Sequence, residues 1–289
     1  MYVRINQVKF PNKMAQEAVQ KHAKSLLSNF GENVRIASFN VNGIRARLPR
    51  LLDWLKENAP DVVVLQEIKS TKEDFPMEAI ESLGYNVELI GQKSFNGVAV
   101  LSKRPIEDVK SNLPGDTDDI QARWLEFYVE NIKICNIYLP NGNPVDSEKY
   151  KYKLAWINRF LIRLQHLKDL EEIVIVTGDF NIIPKLNDCA SKERWENDAI
   201  FQLEVRLAYQ KMLNLGFTDA IKTICPNEQI FTYWDYQGRS WEKNDGVRID
   251  HSLLSPHAAD KLAGIKIYSS IRDKEKPSDH IPISVLIQD

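Results

Sequence analysis

The residues best suited to chemistry gather at the ends of apolar runs. One run, residues 173–176, consists only of isoleucine and valine and leads into Gly178-Asp179-Phe180-Asn181. Such a β-branched run reads as a strand buried on both faces, and Gly178 lets the chain turn. Asp179 and Asn181 are two apart, so an extended segment projects both to one side. A carboxylate and an amide then sit at the carboxyl end of a buried strand, where α/β folds commonly bind ligands. Taken alone, the stretch fits an Asx-turn equally well. The other run ends decide. Asn40 and Asn42 close one, Glu67 another, and Tyr138 comes just before Pro140-Asn141-Gly142. Asp250 is flanked by Arg248 and His251, and Ser278-Asp279-His280 precede the last run. Carboxylates, amides, a tyrosine and a histidine thus arrive at strand boundaries from distant parts of the chain.

Oxygen donors with no cysteine and few histidines suit a hard cation, Mg²⁺ or Mn²⁺, rather than zinc. Such an ion serves phosphoryl chemistry by neutralising non-bridging oxygens and a leaving alkoxide. A base must also take a proton from an attacking water, and Asp179 or His280 could do so. Asp250 or Asp279 could hold the histidine in the required tautomer. Each residue has an ordinary alternative: Glu67 as a surface acid, Tyr138 as a sheet residue, Asp279-His280 as a loop pair. Their joint occurrence favours a site.

The elements that must position these residues are regular from residue 34 onward. Strands are expected at 34–39, 61–65, 85–90, 98–101, 124–129, 132–139, 173–176, 230–234, 247–254, 265–268 and 281–287. Helices are expected at 48–58, 73–83, 147–167 and 198–215. Hairpins mixed with βα units predict mixed sheets covered by helices, α/β (α+β) in class, within one domain spanning 33–289. Residues 1–32 form an N-terminal extension in which Ala15, Ala18, Val19, His22 and Leu26 follow the spacing of an amphipathic helix. The formal net charge is −2, so bulk charge argues for no nucleic-acid partner, although clustered carboxylates would mask a local basic face. Three isolated cysteines predict a reducing compartment with neither a disulfide frame nor a zinc knuckle. No apolar run approaches a membrane span.

Seven segments carry a resemblance. They are Ile36-Ala-Ser-Phe-Asn-Val-Asn-Gly-Ile-Arg45, Val64-Leu-Gln-Glu67, Gly97-Val-Ala-Val-Leu-Ser102, Asn136-Ile-Tyr-Leu-Pro-Asn-Gly142, Thr177-Gly-Asp-Phe-Asn181, Arg248-Ile-Asp250 and Ser278-Asp-His280. In this order they are similar to the motif series of the exonuclease III family of AP endonucleases, from about residue 34 to 289. The resemblance implies a DNase I-like four-layer sandwich of two mixed β-sheets flanked by helices. It implies Mg²⁺-dependent hydrolysis of DNA phosphodiesters 5′ to abasic sites, with 3′→5′ exonuclease and 3′-phosphatase or phosphodiesterase activity, in base excision repair. The implied partner is duplex DNA with abasic sites or 3′-blocked ends, met by a monomer in the cytoplasm of a bacterium and at its nucleoid.

By motif match, the resemblance makes Glu67 the principal metal ligand, helped by Asn40 and Asp279, with Asp179, Asn181 and His280 grouped about the same ion. Asp179 would orient or deprotonate the water, Asn181 would bind the phosphate, and Tyr138 would contact the phosphate or assist the leaving group. His280 would bond a phosphate oxygen under the orientation of Asp250, or act as the base. Substrate contacts would come from Asn141 and Arg123, and an apolar slot for a flipped abasic sugar from Tyr233, Trp234, Val247 and Ile249. The family often has Trp or Phe where Tyr233 stands and a larger residue at Val247. Arg45, Arg47, Lys72 and Lys243 are further candidates for DNA-backbone contacts. Rival readings are another metal-dependent phosphodiesterase or phosphatase of the same superfamily, and a non-catalytic DNA-binding protein on this fold.

Overall fold

In the computed structural model, residues 33–288 are described. The amphipathic helix expected within residues 1–32 lies outside them. Among the described residues, twelve strands form two six-stranded sheets. The first contains β1 (Val34–Asn40), β2 (Val62–Gln66), β3 (Asn86–Ile90), β4 (Val98–Ser102), β11 (Leu262–Ile267) and β12 (Ile283–Ile287), in the order β11-β12-β1-β2-β4-β3. The second contains β5 (Glu107–Ser111), β6 (Trp124–Val129), β7 (Ile132–Tyr138), β8 (Ile173–Asp179), β9 (Thr218–Asp219) and β10 (Asp250–Leu254), in the order β5-β6-β7-β8-β10-β9. Each sheet has one parallel pair at its centre, β1 with β2 and β7 with β8, and all other pairs are antiparallel.

Alternation decides which residue faces where. Val34, Ile36, Val62, Val64, Val98 and Val100 meet Leu125, Phe127, Ile132, Ile134 and Ile175 between the sheets. The opposite face of the first sheet, with Ala37, Phe39, Val63 and Leu65, packs on α1 (Ile44–Asn58) and α2 (Met77–Glu81). The opposite face of the second, with Ile137, Val174 and Val176, packs on α3 (Glu148–Asp169) and α5 (Leu203–Asn214). Four layers result, as the resemblance implied. Among the described residues no helix is long and apolar enough to cross a membrane.

Several elements differ from expectation. β5 is wholly exposed and three of its five residues are charged, so it shows no alternation, as suits an edge strand that must not recruit partners. Residues 230–234 join no ladder. Tyr233 makes isolated bridges to Val247 and His280, and Trp234 N–H donates to Asp279 O at 2.9 Å. The segment ties down the loop bearing Asp279 and His280 instead of extending a sheet. The helix expected over 73–83 is only α2, and that over 198–215 begins at Leu203, after the separate short α4 (Lys192–Trp195). The short helices α6 (Ala220–Ile224) and α7 (Pro256–Asp260) were not anticipated.

Gly178 lies within β8 rather than at a turn. A Cβ there would fall 2.0 Å from Ile137 O, so the residue permits close packing of β7 on β8. The chain bends later, at Asn181, with φ +47°.

Candidate active site

Parallel strands end on the same edge of a sheet, and this brings the site together. Asn40 and Gln66 are register partners at the ends of β1 and β2, and Tyr138 and Asp179 at the ends of β7 and β8. Asp250 opens antiparallel β10 directly opposite Asp179. Glu67 follows β2 with φ +49°, which turns it out of the ladder. Asn40 bridges the two sheets: its Nδ2 donates to Glu67 Oε1 and to Asp179 Oδ2, each at 2.9 Å.

Asp179 uses both oxygens. Oδ1 accepts the Asn181 N–H at 2.9 Å, and Oδ2 faces Asn40 and lies 3.8 Å from His280 Nε2. One oxygen thus closes an Asx-turn, and the other faces the candidate site. His280 Nδ1 is 2.8 Å from Asp250 Oδ2, which makes Asp250 the orienting carboxylate. Asp279 turns away and accepts from Asn42 Nδ2 at 3.0 Å. Ligand atoms of Glu67, Asp179 and His280 all lie within 4.8 Å of one another. Of the other residues expected about a metal, Asn40 has its oxygen on the Asn42 N–H at 3.0 Å, and Asn181 faces Asn141, whose Nδ2 donates to Asn181 Oδ1 at 3.1 Å.

Burial shapes the electrostatics. It lifts the Asp179 carboxyl to about 7, aided by the charges of Asp250 and Glu67 and opposed by His280. Burial works against a charged His280, but Asp250 and Asp179 outweigh it and raise the imidazole to about 10. Glu67 also pays for burial, yet Lys69 and Asn40 hold it below the usual carboxylate range. Burial and the charges of Glu67 and Asp179 push the Tyr138 phenol well above its ordinary value, so it is a neutral donor. A carboxylate-rich pocket with oxygen donors fits a hard divalent cation. Among the described residues, the buried Asp250 Oδ1 has no hydrogen-bond partner.

Two functional neighbours were absent from the sequence reading. Lys69 Nζ lies 2.8 Å from Glu67 Oε2 and 2.5 Å from Asn42 Oδ1. Lys153 is fully buried, and its Nζ donates to Pro140 O, Asn141 O and Asn181 O. The available signal was a lysine on the core face of a helix, three residues after Tyr150 and four before Ile157.

An open groove of about 510 Å³ runs from Tyr138 and Asn141 past Arg123, Gln92, Asn96 and Tyr152. The Arg123 guanidinium covers the Tyr138 ring at 4.7 Å. Tyr233, Val247 and Ile249 share an apolar cluster with Trp195 of α4, and Tyr233 packs edge-on against both Trp195 and His280. Trp234 does not join them. Its ring packs on Phe231 and Trp241 beneath the first sheet, and Nε1 donates to Asn244 Oδ1. Arg45, Lys72 and Lys243 are exposed, and Arg47 bonds the Tyr236 hydroxyl.

Comparison with known proteins decides the family. Residues 37–280 match the Endonuclease/Exonuclease/phosphatase family. The chain belongs to this family. Exodeoxyribonuclease III of Haemophilus influenzae is 34% identical over 265 residues, covering 86% of this chain and 98% of the relative. An AP endonuclease from Archaeoglobus fulgidus superposes with a TM-score of 0.84 at 38% identity, over 88% of this chain and 99% of that one. The 3′-5′ exonuclease NExo of Neisseria meningitidis does so with a TM-score of 0.85 at 34% identity, over the same shares. As a family member the chain has the DNase I-like fold and is a hydrolase of the nuclease type.

Behind the site, Arg248 anchors the strand that carries Asp250. Its guanidinium bonds Asp188 Oδ1 and Asp219 Oδ2, both at 2.8 Å, and is 1% exposed. His251 is neutral there: burial and the facing Arg248 push it to about 3, so Nδ1 accepts from Arg248 and Nε2 donates to Ile182 O. Burial disfavours ionised Asp188 and Asp219, but Arg248 outweighs it and holds both below the usual range. Their stabilising contribution is complete above the unfolded-state pKa and is lost as pH falls through the lower folded values. Arg248→Met leaves Asp188 with Lys222 and Asp219 with the Tyr209 hydroxyl but takes the shared guanidinium from both, and it is expected to remove about 3 kcal/mol at pH 7. Those carboxylates then titrate upward, so the deficit should shrink between pH 7 and 4.5. Urea unfolding at both values checks this; an equal deficit at both contradicts it.

Proposed function

We propose that this protein is a DNA-repair nuclease that hydrolyses phosphodiester bonds of duplex DNA 5′ to abasic sites and also trims or unblocks 3′ ends. The observation that carries the proposal is the facing of Asp179 and His280 across 3.8 Å, with a Glu67 oxygen within 4.8 Å of both and the Asn141–Asn181 amide pair on the turn that Asp179 closes. His280 lies between two carboxylates, Asp250 and Asp179, which favour its imidazolium form. An imidazolium has no lone pair to accept a proton, so His280 donates to a phosphate oxygen. Asp179 is then the group that receives the proton of the attacking water. Asn181 and Asn141 hold the scissile phosphate, and the neutral Tyr138 phenol donates toward the leaving side. Glu67 would hold Mg²⁺ or Mn²⁺, leaving the Asp179 oxygen outside the turn to accept the proton. Such an ion, when bound, neutralises phosphate charge and that of the leaving alkoxide.

Relatives that act on DNA support the DNA substrate. One is the DNA repair nuclease APEX1 of Danio rerio, 26% identical over 88% of this chain. Another is the 3′ phosphatase NExo from Neisseria, solved with a product DNA hairpin. Tyr233, Val247 and Ile249 would receive the flipped sugar, with Trp195 as an additional wall. We further propose residues 33–289 as a single catalytic domain, acting as a monomer in the cytoplasm, with 1–32 as an extension.

The test is a duplex carrying one tetrahydrofuran abasic analogue, incubated with Mg²⁺ and, separately, with EDTA. Incision just 5′ of the analogue, abolished by EDTA, is the expected result. Shortening from 3′ ends alone would replace this reading with an exonuclease that does not recognise abasic sites. An inert DNA substrate combined with release of phosphate from phosphoinositides would point to a phosphatase of the same family.

A further inference from the structure

We infer that Lys153 is a positioning residue for the phosphate side of the site: its ammonium clamps the loop after β7 to the loop after β8 and so sets the side chains of Asn141 and Asn181. The inference rests on the reading of those two amides as phosphate ligands.

The geometry is specific. Lys153 stands in the second turn of α3 and is 0% exposed. Nζ donates to Pro140 O at 3.0 Å, Asn141 O at 3.0 Å and Asn181 O at 2.7 Å. Among the described residues no carboxylate pairs with it. Burial lowers this lysine to about 7, against the charges of Asp179 and Asp198, but an ammonium has three N–H bonds and three carbonyls accept them, so the geometry is that of the charged form satisfied by peptide groups. A lysine that merely filled space in this core would be replaced without loss by methionine, whose burial carries no such demand. Two of the three carbonyls belong to Asn141 and Asn181 themselves. One atom therefore holds both backbones, and the Asn141 Nδ2 to Asn181 Oδ1 contact of 3.1 Å follows from that spacing. Asn181 Nδ2 closes the arrangement on Leu139 O at 2.9 Å.

The loop after β7 is shaped to the lysine. Gly142 has φ +91°, and a Cβ there would fall 2.6 Å from Lys153 Cδ. Asn181 is also left-handed, at φ +47°. Residues in such conformations persist where the surroundings over-determine them, and here the common element is the lysine. Asn143 extends the hold: its Nδ2 donates to Asp198 Oδ1 and its Oδ1 accepts the Ala199 N–H, both at 2.9 Å.

The test combines kinetics with a readout independent of turnover. In Lys153→Met, kcat on the abasic duplex is expected to fall about 100-fold with KM little changed, because displaced positioning groups act on the transition state. Asn141→Ala should be costly in the wild-type background and nearly silent in Lys153→Met, the sign of a shared pathway. The side-chain ¹⁵NH₂ signals of Asn141 and Asn181, sharp in the wild type, should broaden or shift in Lys153→Met. Gly142→Ala crowds the same clamp while keeping the charge, and it should reproduce these changes if Lys153→Met does not fold. A lowered melting temperature with unchanged kcat, unchanged amide signals, or fully multiplicative losses would overturn the clamp. A wild-type protein that leaves the duplex intact would overturn the functional reading alone, and the amide signals would still judge the clamp.

Discussion

Asp179→Asn is expected to lower kcat by about 10³-fold, within the range supplied by a positioned general base, with the fold retained. The side chain is 1% exposed, and an amide has the same shape. Its oxygen can still accept the Asn181 N–H that closes the turn. What disappears is the group that takes the proton of the water. The folded state no longer buries a charge, since burial above all, with Asp250 and Glu67 adding and His280 opposing, raises this carboxyl to about 7. Against that, the new amide NH2 faces the Asn40 Nδ2 that donates to Asp179 Oδ2 at 2.9 Å, so the two effects offset and the melting midpoint should change little. Single-turnover cleavage with excess enzyme, paired with thermal unfolding, measures both. Cleavage within tenfold of wild type would remove Asp179 from the base role and return it to turn formation.

Glu67→Gln is expected to weaken Mn²⁺ binding by at least about 100-fold, the upper end of what loss of an outer-shell partner alone does. Glu67 is the carboxylate whose surroundings keep it ionised, through Lys69 and the Asn40 amide. Glutamine keeps the length and one oxygen but no charge. Lys69, 2.8 Å from the carboxylate, would keep only Asn42 as a partner, which adds local positive charge and further disfavours the ion. Electron paramagnetic resonance of free Mn²⁺ during titration of the DNA-free protein reads the affinity without reference to turnover. Activity should recover in part at high metal concentration. Unchanged Mn²⁺ affinity would place the ion elsewhere.

Much of this was legible in the chain itself. Strand ends bearing Asn40, Glu67, Tyr138, Asp179, Asp250 and Asp279-His280 followed from β-branched runs that stop at polar residues. The runs and turns pointed to mixed sheets covered by helices, and the two-sheet sandwich came from the family resemblance; in the structure Val34, Ile36, Val62 and Val64 face between the sheets and alternate with residues that face helices. Where the local signal was weak, sequence reasoning lost detail. β5 is an exposed charged edge with no alternation, and residues 230–234 look like a strand but have no ladder to join.

The tertiary structure decided what depends on distance between residues far apart in sequence. From residue types alone, which carboxylate orients His280 was open between Asp250 and Asp279, and the family resemblance pointed to Asp250. The register of β10 on β8 places Asp250 beside Asp179 and leaves Asp279 to Asn42. Trp234, near Tyr233 in sequence, faces the opposite side because successive residues of an extended segment point apart. Lys153 belongs to the same class: nothing local marks a lysine as the partner of three distant carbonyls. Asp179 illustrates both halves. Its sequence neighbours determined that Gly-Asp-Phe-Asn would end a buried strand and that one oxygen could close an Asx-turn. Only the facing of two parallel strand pairs decided that the other oxygen would meet Asn40 and approach His280. Local composition governs short-range hydrogen bonds and burial periodicity, whereas the meeting of strand ends is governed by pairing register across the whole chain.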